Sequence, residues 1–200
     1  MEFLGGNIYH VYNQGNNHQR IFFERKNYYY FMDKVKQHLL LHCNILAWCL
    51  MPNHFHWMIE IPEEYDQLAL REKPKVKPLN RSISVLLSSY TKGINKAYDR
   101  SGSLFRMGTK AKPLIIDSDR HSNYPLTCFL YIHQNPLKAK LTDYPGGWEF
   151  SSYSEYCSES GKSICDVESA RELLDLPSRS NEFRKFSHQT INPQVLKGIF

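Results

Sequence analysis

The sequence predicts an α+β fold, a ferredoxin-like split βαβ sandwich in which an antiparallel sheet carries helices packed on one face. Three observations predict it. Short segments alternate polar and apolar residues, longer segments repeat apolar residues every three or four positions, and the elements run strand, helix, strand, strand, helix, strand, helix.

In order, "NIYHVYN" (7 to 13) sets Ile8, His10 and Tyr12 against Tyr9 and Val11, the alternation of a strand, and runs into the turn-like "NQGNN". "RKNYYYFMDKVKQHLLLHC" places Phe31, Val35 and Leu39 four apart, an amphipathic helix on which Tyr28, Tyr29 and Tyr30 cannot all be buried. "NILAWCL" (44 to 50) reads as a buried strand, Pro52 and Asn53 as a turn, and "HFHWMIEI" as a half-buried strand with Phe55, Trp57, Ile59 and Ile61 on its apolar face. The charged, proline-bearing stretch 63 to 80 reads as a mobile surface connection. "RSISVLLSSYTKGINKAYDR" aligns Ile83, Leu86, Leu87, Tyr90, Ile94 and Ala97 on one helical face, with Gly102 closing the helix. "AKPLIIDS" is a further strand, Asp119 a possible cap, and "YPLTCFLYIHQNPLKAKL" a helix broken near Pro136. The reading divides the chain into a main domain over 1 to 156 and a tail over 157 to 200, in which "DVESARELLDL" can form a helix.

Composition narrows the function classes. A net charge of +5 suits a polyanionic partner without demanding one. Thirteen Tyr and eleven Phe could serve a core or stack on unpaired bases. Cys43, Cys49, Cys128, Cys157 and Cys165 have no paired spacing, so neither a disulfide framework nor a cysteine zinc site is expected, and a reducing cytoplasm is the expected location. The sequence contains no basic leader segment and no run of about 18 apolar residues, so a soluble protein without membrane attachment is expected.

The chemistry concentrates in two stretches. In "MPNHFHWMIE", His54 and His56 point to the same face of a strand, about 6.5 to 7 Å apart at Cα, while Phe55 and Trp57 pin that strand from the other side. Two imidazoles so placed can share a divalent ion, provided a third ligand exists, or can be plain surface polarity. In "LYIHQNP", Tyr131 and Asn135 lie four apart and therefore on one helical face, one offering a phenolic nucleophile and the other an oxygen ligand. A phenol with a pKa of about 10 attacks poorly near neutral pH unless something helps remove its proton, which makes nearness to the histidines useful.

Here the sequence resembles the REP-associated tyrosine transposases, within the single-strand transposases and the wider HUH endonucleases. The resemblance runs over about residues 5 to 156 in four ordered blocks: "YHVYNQGNNHQRIFF", "MPNHFHWMIE", "SYTKGINKAYDRSGSLFRMGTKAK" and "YIHQNPLKAKLTDYPGGWEFSSYSEY". It implies that Tyr131 attacks a phosphodiester of single-stranded or hairpin-forming DNA, leaving a free 3′-OH and a 5′-phosphotyrosine link. It also implies that His54, His56 and Asn135 hold magnesium or manganese, with His133 and Gln134 as rivals for the third ligand. Two positions depart from the family pattern: Gln14 stands where an arginine is usual, and "RMGTK" where a basic-aromatic pair is common.

Arg20, Arg25, Lys92, Lys96, Arg106, Lys110 and Lys112 are candidates to follow a DNA backbone, or simply a solvated charged surface. Alternatives stay open: a domesticated DNA-hairpin-binding or regulatory protein that does not cleave, or a replication-initiator or relaxase-like HUH nuclease. The resemblance covers both monomers and homodimers.

Overall fold

The computed structural model describes residues 2–65, 78–114, 124–158 and 163–191. Strands β1 (Ile8–Gln14), β2 (Asn44–Met51), β3 (His54–Glu60) and β4 (Lys110–Leu114) form one antiparallel sheet in the order β2-β3-β1-β4. Because β3 lies between β1 and β2, the connection from β1 through the first helix to β2 is a split βαβ unit, as the element order predicts.

Helix α1 (Arg25–His38) starts at a reciprocal cap: Asn27 Oδ1 accepts the backbone N–H groups of Phe23 and Glu24, both at 2.9 Å. Its buried stripe holds Tyr28, Phe31 and Val35, while Tyr29 is left half exposed. Helix α2 (Pro78–Ala97) buries Leu79, Ile83, Leu86, Leu87, Tyr90 and Ile94, and Lys92 and Lys96 face solvent. It ends at Ala97, earlier than Gly102 suggests, and the chain turns at Asp99 with φ 47°. The two helices approach closely at Gly93, where any added Cβ would sit 2.7 Å from Tyr30 Oη.

Helices α1 and α2 cover one face of the sheet. Phe31 stacks on Trp57 with centroids 5.8 Å apart and tilts against Phe55 at 5.4 Å, and both rings on β3 are fully buried. The opposite face carries His10, Tyr12, Cys49, His54, His56 and Met58, and helix α3 (Tyr124–Lys138) packs against it on β2 and β3. Strand β3 is therefore buried on both faces rather than on one, with His56 only 3% exposed. Alternation reveals which side chains share a face, but not whether a helix from elsewhere in the chain will cover them.

The outer edge of β2 is covered by residues 148–152. Leu50 N–H donates to Phe150 O, Ser152 N–H to Trp48 O and Trp148 Nε1–H to Leu50 O, each at 2.9 Å. An edge satisfied in this way is no template for further strand pairing. The later residues also lie on the domain. Asp166 N–H donates to Ile45 O at 2.8 Å, and Asp166 caps helix α5 (Val167–Leu174) by accepting from Ser169 N–H at 3.0 Å. Between them, α4 (Tyr153–Cys157) and α6 (Ser180–Phe186) meet where Phe183 stacks on Tyr156 with centroids 5.2 Å apart. The candidate cap Asp119, the end of the "AKPLIIDS" strand and most of the 63–80 connection fall outside the described residues.

Since Trp57 is fully buried between α1 and the sheet, Trp57→Ala should destabilise the chain by about 3–5 kcal/mol, read as a lower urea midpoint. A loss under about 1 kcal/mol would show that this contact does not anchor β3.

Candidate functional site

Strand β3 and helix α3 bring the chemistry together. His54 and His56 stand edge to face with ring centroids 5.0 Å apart, and the Tyr131 ring lies edge-on to His56 at 5.5 Å. Asn135 Nδ2–H donates to Tyr131 Oη at 3.2 Å and lies 3.4 Å from His54 Nε2, so the carboxamide bridges the tyrosine and the histidine pair. These four side chains come from segments more than 70 residues apart in sequence. Tyr12, Asn13, Gln14, Arg106, Met107, Gly108 and Lys110 complete a cleft of about 330 Å³ lined by His54, His56 and Tyr131.

The two other candidate ligands point elsewhere. His133 Nε2 is 2.8 Å from Ser152 Oγ, within a ring of Phe129, Tyr153, Tyr156 and Phe183. Gln134 donates through Nε2 to Ser187 O and Gln189 O, both at 2.9 Å, which fastens the C-terminal segment to α3. At about 100° per residue, a helix that turns Tyr131 and Asn135 toward the histidines of β3 must turn positions 133 and 134 away from them.

Burial sets the electrostatics. It holds the His54 imidazole down to about 4, and it places His56 well below its ordinary value with smaller contributions from His10 and His54. Both rings are thus neutral at physiological pH and keep a lone pair. Burial pushes the Tyr131 phenol up, reinforced by Cys128 and Cys49 and opposed by the Asn135 hydrogen bond. The lone-pair donors at the cleft are therefore two neutral imidazoles; Asn135 turns its Nδ2 toward Tyr131 and His54, so its oxygen becomes a third ligand only with the carboxamide rotated, and no cluster of three His, Cys, Asp or Glu occurs among the described residues. Such a set suits a divalent ion that tolerates nitrogen ligands, manganese more readily than magnesium, which favours oxygen.

The basic candidates separate. Arg106 and Lys110 line the cleft, and Lys112 extends from β4 opposite His10. Lys92 lines a neighbouring groove along α2 that shares Asn13, Arg106, Met107 and Gly108 with the cleft. Arg25 is ion-paired with Glu149, Arg20 and Lys96 are exposed, and none of the three lines either hollow. Gln14, at the position where an arginine is usual, has the Arg106 guanidinium against its carboxamide. The mouth of the cleft thus carries a guanidinium delivered by another segment.

Two neighbours of the histidines have no counterpart among the sequence candidates. His10, fully buried, sits with Nε2 2.9 Å from His56 Nδ1 and stacks on Tyr12 at 4.8 Å. Asn53 Oδ1 lies 2.7 Å from His54 Nδ1. The alternation in "NIYHVYN" signals that His10 and Tyr12 share a face, but the pairing of Tyr12 with His56 is a matter of strand register.

No protein-family model matches the sequence, and no curated protein matches it. Among solved structures the chain is similar to a REP-associated tyrosine transposase bound to a REP hairpin, with a TM-score of 0.55, 14% identity, and coverage of 84% of this chain and 90% of that one. The likeness is one of fold: an α+β domain with a four-stranded antiparallel sheet. No helix among the described residues is long and apolar enough to cross a membrane.

Buried neutral histidines make stability depend on pH. Burial brings His133 down to about 3 and His54 to about 4, whereas the unfolded chain takes up these protons near 6.5. The unfolded state then binds more protons than the native state between those values, so stability should fall as pH drops from about 6.5 to about 4. Denaturant midpoints across this range check it, and His133→Gln should flatten the dependence. A midpoint that is constant from pH 7 to 4.5 would contradict the burial of neutral imidazoles.

Proposed function

We propose that the chain is a single-tyrosine DNA strand transferase, a transposase or nickase acting on single-stranded or hairpin-forming DNA. The observation that carries this reading is the convergence of two distant elements: Tyr131, His54 and His56 line one cleft, and Asn135 bridges Tyr131 and His54 beside it. The shared fold with a tyrosine transposase solved on a REP hairpin supports the same class of partner.

In this mechanism the Tyr131 hydroxyl gives its proton to solvent water in the cleft and its oxygen attacks phosphorus. A P–O bond forms to tyrosine, the bond from phosphorus to O3′ breaks, and a proton is taken up by O3′. The products are a 5′-phosphotyrosine and a free 3′-OH, and reversal with a different 3′-OH rejoins strands without water or a nucleotide. Asn135 holds the phenol in position through its 3.2 Å hydrogen bond. His54, His56 and Asn135 are the residues that would hold manganese or magnesium, which when bound would supply Lewis-acid polarisation of the phosphate. Arg106 and Lys110 at the rim and Lys92 in the adjoining groove supply positive charge where a strand would leave the cleft, and the described residues lining both hollows include no carboxylate. Met107, 99% exposed on the ridge between them, offers an apolar surface to a base.

One observation favours a second reading, hairpin binding without cleavage. The burial that pushes the Tyr131 phenol up leaves little phenolate near neutral pH. Hairpin binding that survives EDTA, with no adduct under any divalent metal, would select this reading.

Incubation with Mn²⁺ and a 3′-labelled hairpin carrying a single-stranded flank should yield a labelled covalent protein–DNA adduct that Tyr131→Phe abolishes. Persistence of the adduct in that variant would sink the assignment. Because burial raises the phenol, adduct formation should climb with pH from 7 to 9; a rate that does not rise over this range would contradict rate-limiting deprotonation of a raised phenol. Arg106→Ala and Lys110→Ala should each lower the slope of log affinity against log salt by about 1, while Arg25→Ala leaves it unchanged.

A further inference from the structure

Each of the two histidines in the cleft presents one ring nitrogen inward and has the other held from behind. For His54 the partner is unambiguous in kind. Asn53 Nδ2–H donates to His18 O at 3.4 Å, which turns Asn53 Oδ1 toward His54 Nδ1 at 2.7 Å. A carboxamide oxygen only accepts, so the proton of a neutral His54 must sit on Nδ1. Its Nε2 is then a lone pair, and that is the atom facing the Asn135 carboxamide at 3.4 Å.

His56 repeats the arrangement with a different partner. Its Nδ1 meets His10 Nε2 at 2.9 Å, and the two rings stack with centroids 5.0 Å apart and planes 22° apart. His10 is 0% exposed and lies on the central strand β1, with Tyr12 stacked beside it, so it has no room to swing away. One proton occupies the space between the two nitrogens. If His56 is the donor, its Nε2 carries a lone pair into the cleft; if His10 is the donor, His56 Nε2 carries a hydrogen and cannot bind a cation.

We propose that His10 and Asn53 are positioning residues that accept the Nδ1 protons of His56 and His54, so that both Nε2 lone pairs are presented together beside Tyr131. The proposal rests on the reading of His54 and His56 as cation ligands. Paired second partners of this kind fix ring orientation and tautomer at metal-binding histidines, and their loss commonly weakens metal affinity about 10–100-fold. The two partners also come from unlike places. Asn53 belongs to the turn that leads into β3, so it travels with the histidine motif, whereas His10 reaches the site only because β1 pairs with β3.

The test uses the full chain labelled with ¹⁵N at histidine. In the metal-free wild type, long-range proton–nitrogen spectra should show His54 and His56 both protonated at Nδ1. Asn53→Ala should release His54 to the Nε2–H form and weaken Mn²⁺ binding, followed by electron paramagnetic resonance, about 10–100-fold. Asn53→Asp, which keeps an accepting oxygen, should restore the Nδ1–H form and most of the affinity. His10→Leu should have the corresponding effect on His56, and His10→Gln should rescue it. Where His10→Leu does not fold, the wild-type spectrum and the Asn53 pair decide. A wild-type His54 or His56 protonated at Nε2 would overturn the proposal, as would Mn²⁺ affinity in Asn53→Ala within twofold of wild type. Adduct formation is scored separately. A wild-type chain with both rings protonated at Nδ1 and Mn²⁺ bound, yet forming no tyrosine adduct, would remove the strand-transfer reading and leave the roles of His10 and Asn53 intact.

Discussion

Everything in the molecule turns on β3 being covered on both faces. On one face Phe55 and Trp57 are wedged against Phe31 of α1; on the other His54, His56 and Met58 lie beneath α3. The sheet order adds a further restraint, since it sets β3 between β2 and β1 and so leaves it without a free edge. A strand held this way has little freedom to shift, and its histidines inherit that rigidity. The same enclosure makes them neutral, because an imidazolium loses far more solvation on burial than an imidazole does. Position and protonation state therefore share one cause.

Helix α3 depends on that arrangement and distributes its side chains accordingly. Tyr131 lines the cleft with Asn135 bonded to it and to His54, His133 turns to Ser152 on the segment that closes the edge of β2, and Gln134 holds the carbonyls of Ser187 and Gln189. Ser152 in turn pairs with the Trp48 backbone. The helix that carries the proposed nucleophile is thus clamped between the sheet and the C-terminal segment. Residues beyond 156 contribute to the fold through Asp166, Phe183 and Ser187 even though they carry no recognisable chemical motif.

The rim of the cleft shows how space can do the work of local sequence. Gln14 ends β1 without the cation expected there, yet Arg106 N–H donates to Gln14 O at 2.8 Å and its guanidinium lies on the Gln14 side chain. The segment 103–106 is joined to the end of β1 through the Gly15 and Phe105 bridge and the 3.0 Å bond from Asn16 N–H to Leu104 O. Asn95 Nδ2–H, donating to Gly102 O at 2.8 Å, ties the same loop to α2. Charge at the mouth is therefore held by a braced loop carrying Arg106 and by Lys110 at the start of β4, which separates these two from the scattered surface cations Arg20, Arg25 and Lys96.

The sequence by itself determined the periodic parts. Alternation in "HFHWMIEI" placed two histidines on one face with two aromatic anchors on the other, helical spacing placed Tyr131 beside Asn135, and the element order specified a split βαβ sheet. These readings succeed because backbone geometry imposes periods of 2 and 3.6 wherever a strand or helix forms. Tertiary structure alone decided what no period encodes: that α3 covers the histidine face, that His133 meets Ser152 at the edge of β2 while Gln134 holds the C-terminal segment, and that His10 stands behind His56. It also decided that Arg106 reaches the end of β1. Each of these is a meeting between residues distant in sequence, fixed by strand register, helix phase and the exclusion of water, and a linear pattern has no means to record it.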